Sequence, residues 1–402
     1  MKKDWEIKKL SEVCEINIGR TPERGNSKMW DKEKKTENVW LSIADLNNAE
    51  DGYISDSSEY VSDNAVPKMK LVKANTLLMS FKLTIGRCAI TKRELFTNEA
   101  IAALPIIDKD LDLFFLKYYL ENFDWAKLTE GDVKVKGKTL NKEKLKEVPI
   151  TVPPREEQKR IVKILDEKIA QLETIKTNAQ TNLQNAKDLF QSQLTKAFSN
   201  NDWEKKRLGD VCIIRPPKAE IIKHLKESDE VSFLPMEDLQ IMNYYIEPKQ
   251  SKTLKEVSGS YTCFADGDVL LAKVTPCFEN GKQGIAKDLD NGVGFGSSEY
   301  IVFRPSEKIL SEYIYYVLAT PEFKEGGKKN LLGACGLKRL SKDYVNTYEI
   351  PLPPLPEQKR IVEQLDSLSE KTKALQNIYE QMLLDCNELK QSFLCKAFAG
   401  EL

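Results

Sequence analysis

At 402 residues and 41% hydrophobic content, the chain is long enough for two to four domains with real cores. A net charge of −1 argues against a protein that coats nucleic acid indiscriminately. No run of about 18 apolar residues exists to cross a membrane, and the opening Lys2-Lys3-Asp4-Trp5-Glu6 lacks the apolar stretch of a signal peptide, so a cytoplasmic location is expected.

In chain order, a first head (1–150) mixes strand and helix signals. Asn38 to Ile43 and Asn75 to Phe81 are short apolar runs that predict buried strands, and Leu111 to Leu120 predicts a helix with one apolar face. The segment from Gly131 to Lys146 carries Lys134, Lys136, Lys138, Lys142, Lys144 and Lys146 against Asp132 and Glu143. That density suits a phosphate contact or a solvated loop equally well. The head ends at Pro153-Pro154, and proline is tolerated at a helix start but not within a helix.

A spacer (151–200) follows as one predicted helix. Ile161, Leu165, Leu172, Ile175, Ala179, Leu183, Ala186, Phe190, Leu194 and Ala197 recur at helical spacing, with no Pro or Gly between Arg155 and Phe198. About 43 residues at about 1.5 Å each give roughly 65 Å. A helix that long with one apolar stripe needs a partner for it.

The second head (201–350) repeats the order of the first. Ser232 to Leu234, Asp268 to Ala272 and Tyr300 to Phe303 predict strands, and Tyr313 to Leu318 the helix. Its basic stretch holds Lys324, Lys328, Lys329, Lys338, Arg339 and Lys342, and it ends at Pro353-Pro354. The last segment (351–402) is again one helix, with Ile361, Leu365, Leu368, Leu375, Ile378, Met382, Leu389, Phe393 and Ala397 as its stripe.

The two halves are in register to the residue over the helices. Pro153-Pro154 and Glu157-Gln158-Lys159-Arg160-Ile161-Val162 return 200 positions later as Pro353-Pro354 and Glu357-Gln358-Lys359-Arg360-Ile361-Val362. Leu194, Lys196, Ala197 and Phe198 return as Leu394, Lys396, Ala397 and Phe398. Asp4-Trp5-Glu6 with Val13-Cys14 is echoed by Asp202-Trp203-Glu204 with Val211-Cys212. The expected fold is therefore α+β: two tandem α/β domains, each followed by a long helix, the helices pairing as an antiparallel coiled coil with pseudo-two-fold symmetry. Packing of each helix on its own head, or on another subunit, is the alternative.

Catalytic chemistry finds little support. The single histidine, His224, lies in a charged stretch with no nucleophile elbow nearby and is read as a surface residue. None of the eight cysteines forms Cys-x-x-Cys, and most are read as small buried residues. Gly131 to Thr139 fails as a phosphate loop because five residues, not four, separate its glycines. Arg215-Pro216-Pro217-Lys218 has neither the acceptor nor the aromatic of a methyltransferase motif, and Asn291 to Gly296 is read as a glycine-rich loop closing onto a strand. No cofactor and no metal are expected.

The duplication, the Pro-Pro helix starts and the Lys-Ala-Phe helix ends together resemble the DNA-specificity subunit of type I restriction-modification systems. In the first head, Gly19-Arg20-Thr21-Pro22, Phe81 to Arg87 and Thr97 to Leu104 are similar to one class of target-recognition domain, with Glu99 where that class has an amide. In the second, Pro235 to Leu239, Gly267 to Lys282 and Gly294 to Glu299 resemble another.

The resemblance implies a non-catalytic chain that reads a bipartite site on double-stranded DNA. It also implies two methyltransferase subunits as partners, joined by nuclease/translocase subunits in the full complex. The expected DNA-binding residues are Arg20, Arg24, Lys82, Thr84 and Arg87 in the first head, and Lys273, Thr275, Asn280, Lys282, Ser297 and Glu299 in the second. Gln158, Arg160, Gln358 and Arg360, at the near-identical helix starts, are expected to face the methyltransferase subunits. A specificity component of a related modification or phage-defence system, and a stand-alone nucleic-acid-modifying enzyme, are the competing readings.

Overall fold

The computed structural model describes all residues except 1–3, 51, 130–132, 135, 136, 139, 200, 201, 242, 243 and 334–336, and only the backbone of 129, 133, 134, 137 and 138. The lysine cluster at 134, 136 and 138 and the glycine spacing at 131–139 thus lie outside what is described. The chain forms two compact units, Met1–Ala179 with Gln381–Leu402, and Gln180–Glu380. Neither is a continuous head plus its own helix. Each unit takes one head, the start of one long helix and the end of the other.

In the first unit a five-stranded sheet runs in the order Asn17–Ile18, Ile101–Leu104, Leu77–Ser80, Cys88–Thr91, Tyr53–Ile54. Its three central strands are buried at every position. They read as unbroken apolar runs because both faces are covered, so alternation is lost. A second sheet sets Val39–Leu41 parallel to Phe96–Thr97 and antiparallel to Glu59–Tyr60. The predicted helix is Leu113–Asn122, started by Asp112, whose carboxylate accepts from the amides of Phe114 and Phe115. Phe115, Leu116 and Leu120 on its inner face share a core with Ile161, Leu165, Leu394 and Ala397.

The second unit repeats this plan. One sheet runs Cys212–Ile214, Tyr300–Pro305, Val269–Ala272, Gln283–Ile285, and the other runs Gln250–Thr253, Glu230–Leu234, Val293–Gly296, Thr262–Ala265. Glu230–Leu234 lies parallel to Val293–Gly296, as Val39–Leu41 does to Phe96–Thr97. The glycine-rich segment is thus a buried central strand and not the loop its composition suggested. Its glycines answer to packing: a Cβ on Gly294 would stand 2.2 Å from the Phe264 ring, and one on Gly296 2.4 Å from the Leu234 carbonyl.

Both long helices are continuous, Arg155–Ala197 and Leu355–Ala399. Their buried seam keeps a seven-residue step, through Leu165, Leu172, Ala179 and Ala186 in the first helix. The second follows with Leu365, Thr372, half-buried Tyr379 and Cys386. The expected stripe needs correcting here. Ile175, Leu375, Ile378, Met382 and Leu389 are exposed. The helices run antiparallel within each unit. In the first, Ile161 and Leu165 meet Leu394 and Ala397, and Glu173 lies 3.8 Å from Lys390. In the second, Phe190 and Leu194 meet Ile361 and Leu365.

The duplication extends to single hydrogen bonds. Gln158 Oε1 accepts from the Asp112 amide at 2.7 Å, and its Nε2 donates to the carbonyls of Asp110 at 2.9 Å and Pro153 at 2.8 Å. Gln358 does the same with Leu310 at 3.0 Å, Lys308 at 2.9 Å and Pro353 at 2.8 Å. Eight residues on, Asp166 accepts from the Tyr118 hydroxyl and Asp366 from the Tyr316 hydroxyl, both at 2.6 Å. The two glutamines are 0% exposed, so the expectation that they face a partner fails. Their amides are consumed in joining helix to head.

One ion pair stiffens the second head. Asp268, 1% exposed, accepts from Arg304 Nε at 2.8 Å and Nη2 at 2.7 Å, and from the Ala265 amide at 2.8 Å. Asp268→Ala leaves that amide and a half-buried guanidinium unpaired, and is expected to lower the stability of the second unit by about 2–3 kcal/mol. Urea unfolding followed by tryptophan fluorescence reads this, and an unmoved midpoint would show that water replaces the carboxylate without loss.

Candidate nucleic-acid interface

The expected DNA-binding residues fall on loops at the ends of the buried strands. In the first head Ser80 pairs with Ile101 across the sheet, and the Phe81 amide then donates to the Ala100 carbonyl at 3.1 Å, which brings Lys82 beside Glu99. In the second, Ala272 pairs with Tyr300 and the Lys273 amide donates to the Glu299 carbonyl at 2.9 Å. By that register Phe81 and Ala100 stand where the second head has Lys273 and Glu299, and the Lys82–Glu99 pair lies one residue further out at the same strand ends. The sheet pairing, not the sequence spacing, brings each pair together.

What holds the carboxylate differs between the heads. Glu99 accepts from the Thr21 hydroxyl. Burial pushes its pKa up, but Thr21, its own backbone amide and Lys82 outweigh this and leave it below the usual carboxylate range. Glu299 is held by Arg339, with Nε 2.9 Å from Oε2 and Nη2 2.7 Å from Oε1, and that hydrogen bonding keeps its carboxyl below the usual range. Lys273 Nζ donates to the Ser298 carbonyl at 2.7 Å and lies 3.8 Å from Glu299. Burial lowers the Lys273 amine despite the carboxylate beside it. Exposed Arg215, in the left-handed region at φ +58°, acts electrostatically on both.

The other expected residues divide by what they touch. Arg20 is exposed, its guanidinium 3.5 Å from the Lys68 carbonyl. Arg24 stacks over Trp30 at 4.3 Å and Trp40 at 4.7 Å and pairs with Glu59, so much of its donor capacity is spent inside the head. Thr84 and Arg87 are not gathered with Lys82. They line an open cleft of about 1040 Å³ with Lys117, Asp166, Glu173 and Lys390. In the second head, Thr275 Oγ1 accepts from the Lys338 amide at 3.1 Å, Ser297 Oγ accepts from the Glu299 amide at 3.2 Å, and Lys282 Nζ donates to the Met236 carbonyl at 2.8 Å. Asn280 is exposed.

At the helix starts Arg160 and Arg360 are exposed and pair with Glu157 and Glu357 one turn before.

Three cations that belong to this surface were not singled out from the sequence: Arg215, Arg339 and Lys324. The last two lay inside the basic stretch of the second head, where density alone ranked none above another. Lys324 lies against Gly281, and burial followed by Lys328 lowers its amine. Among the described residues no carboxylate acts on it. Among the described residues no group of three or more His, Cys, Asp or Glu could hold a metal ion, and no helix is long and apolar enough to cross a membrane.

The family model described as "Type I restriction modification DNA specificity domain" matches residues 2–183 and again 200–383. The EcoEI specificity subunit of Escherichia coli is 34% identical over 193 residues, which cover 48% of this chain and 30% of that one. The EcoAI subunit of the same organism is 35% identical over 173 residues, covering 42% and 29%. This chain thus spans under a third of the length of those two relatives. The putative MjaX specificity subunit of Methanocaldococcus jannaschii is 24% identical over 402 residues, covering 91% of this chain and 87% of its own. Among solved structures, a chain from work on complex assembly and conformational transition of the type I R-M system superposes with a TM-score of 0.75 at 19% identity, covering 100% of this chain and 99% of that one. The HsdS subunit from Thermoanaerobacter tengcongensis gives 0.58 at 19%, covering 100% and 98%.

Proposed function

The chain belongs to the type I restriction modification DNA specificity family, and on that premise we propose that it is the non-catalytic DNA-reading subunit of a type I restriction-modification complex in the cytoplasm. Each head reads one half of a bipartite site on duplex DNA. The two helices set the unspecified spacer between the halves. The chain seats two methyltransferase subunits and, in the full complex, nuclease/translocase subunits.

The observation that carries this reading is the repetition of one plan down to equivalent hydrogen bonds at Gln158 and Gln358, with a Lys–Glu pair beside the corresponding strand ends of each head. One asymmetric chain seats two identical partners only where it presents similar surfaces twice. It reads two different sequences only where those surfaces carry different side chains, as Thr21 and Arg339 do at the two carboxylates.

Exchanging the first head for that of a related subunit tests the reading. Methylated adenines mapped across a genome carrying the hybrid are expected to change in one half of the recognised sequence, with the other half and the spacer kept. A change in both halves, or methylation that no longer follows a bipartite site, would count against it. Saturable S-adenosylmethionine binding by the purified chain alone would favour the reading as a modifying enzyme instead.

A further inference from the structure

From the convergence of three chain segments in the second head, and resting on the reading of the chain as a DNA-binding subunit, we infer that Arg339 reads a guanine in the second half-site and that Glu299 is the residue that positions it. The Arg339 backbone is fixed first. Thr275 donates its amide to the Lys338 carbonyl at 2.9 Å, and Leu340 donates to the Lys273 carbonyl at 2.8 Å, so residues 338–340 run against 273–275. Glu299 is tied to the same strand, its carbonyl accepting from the Lys273 amide at 2.9 Å.

The guanidinium is then fixed by its inner edge. Nε and Nη2 both donate to Glu299, while Nη1 has no acceptor among the described residues and the side chain is 45% exposed. Its outer edge keeps donors on Nη1 and Nη2. Two parallel donors on a rigid plane match O6 and N7 of guanine in the major groove.

A phosphate contact is the alternative use of an exposed arginine, and the carboxylate argues against it. A guanidinium whose charge Glu299 already balances gains less from a phosphate, but gains directional order for reading a base edge. Lys273 and Arg215, which act on the same carboxylate, leave positive charge for the backbone. Glu299 itself faces inward to Arg339 and Lys273, so it does not accept from a base in this arrangement. In the first head the sheet register sets Ala100 in the place of Glu299, and the neighbouring carboxylate, Glu99, is held by Thr21 instead. The inference therefore gives the two heads different preferences at this point.

The test is selection from a randomised duplex library by the full-length chain with its methyltransferase subunits added, comparing the unaltered protein with Arg339→Ala, Arg339→Lys and Glu299→Gln. Arg339→Ala and Arg339→Lys are expected to lose a guanine preference at one position of one half-site by about 5- to 150-fold. The other half-site, unchanged, reports that the protein is folded. Glu299→Gln is expected to weaken the same preference partly while binding unrelated DNA more tightly, because one negative charge is gone. Uniform weakening on all sequences, with the salt slope reduced by about 0.9, would identify a phosphate contact and overturn the inference. So would an unchanged preference. If the unaltered protein selects no bipartite sequence at all, the DNA-reading function fails first, and the inference with it.

Discussion

A chain cut after Asn200 is expected to form a symmetric dimer and, supplied with methyltransferase subunits, to modify a palindrome built from the first half-site and its inverted repeat. In the intact protein the first head is completed by the end of the second helix. Leu394 and Ala397 join Ile161 and Leu165, and the Phe398 ring lies 5.5 Å from Phe115 and 5.2 Å from Tyr119. The fragment lacks those residues but carries Leu194, Ala197 and Phe198, which pack in the second unit just as their repeats do in the first, with Phe198 5.1 Å from Tyr313. A second copy offers the missing end. Covering about six such side chains is worth on the order of 10 kcal/mol before ordering is subtracted. Gln193 in place of Phe393 reduces this. Light scattering at micromolar concentration gives the mass, and a stable monomer, or methylation of the original asymmetric site by the fragment, would contradict the pairing.

Gln358→Met is expected to cost the second unit about 3–5 kcal/mol, because it deprives the Leu310 amide and the carbonyls of Lys308 and Pro353 of their partner in one step. Methionine keeps the volume, so the loss is one of hydrogen bonding and not of packing. Gln158→Met is expected to act alike on the first unit. Denaturant unfolding of each variant is expected to show an earlier transition with its slope retained. A midpoint shift worth less than about 1 kcal/mol would mean that water reaches the three backbone groups.

The same glutamines show where sequence reading stopped. Flanked by Glu157 and Lys159, or Glu357 and Lys359, they look like members of a solvated face. What buries them is backbone that lies nearly fifty residues earlier in the chain, at Asp110 and Asp112 or Lys308 and Leu310, and no local pattern reports that. The helices were legible in length and limits, since Pro153-Pro154 and Pro353-Pro354 mark their starts and nothing inside breaks them. Their seam was less so. Thr372 and Tyr379 sit on it while Ile378 and Met382 face water, because the seven-residue step of two paired helices, and not hydrophobicity residue by residue, selects the buried face. Lys273 and Glu299 were legible as candidates from the family pattern. Arg339 was not, because its place beside them is set by a strand contact across more than sixty residues.

The make-up of the first unit also has a bearing on how the protein is made. Its second piece, Gln381–Leu402, leaves the ribosome about 200 residues after Ala179. At about 5–20 residues per second that is a wait of roughly 10–40 s, during which Ile161, Leu165, Phe115 and Tyr119 lack the side chains that cover them. Early in that interval, before the second head is made, the nascent chain displays Leu194, Ala197 and Phe198, the same cover in duplicate, to any neighbour on the same message. Synthesis of this protein is therefore a race between a chain closing on its own last helix and two unfinished chains closing on each other. Crowded polysomes favour the second outcome, and prompt, well-spaced translation the first.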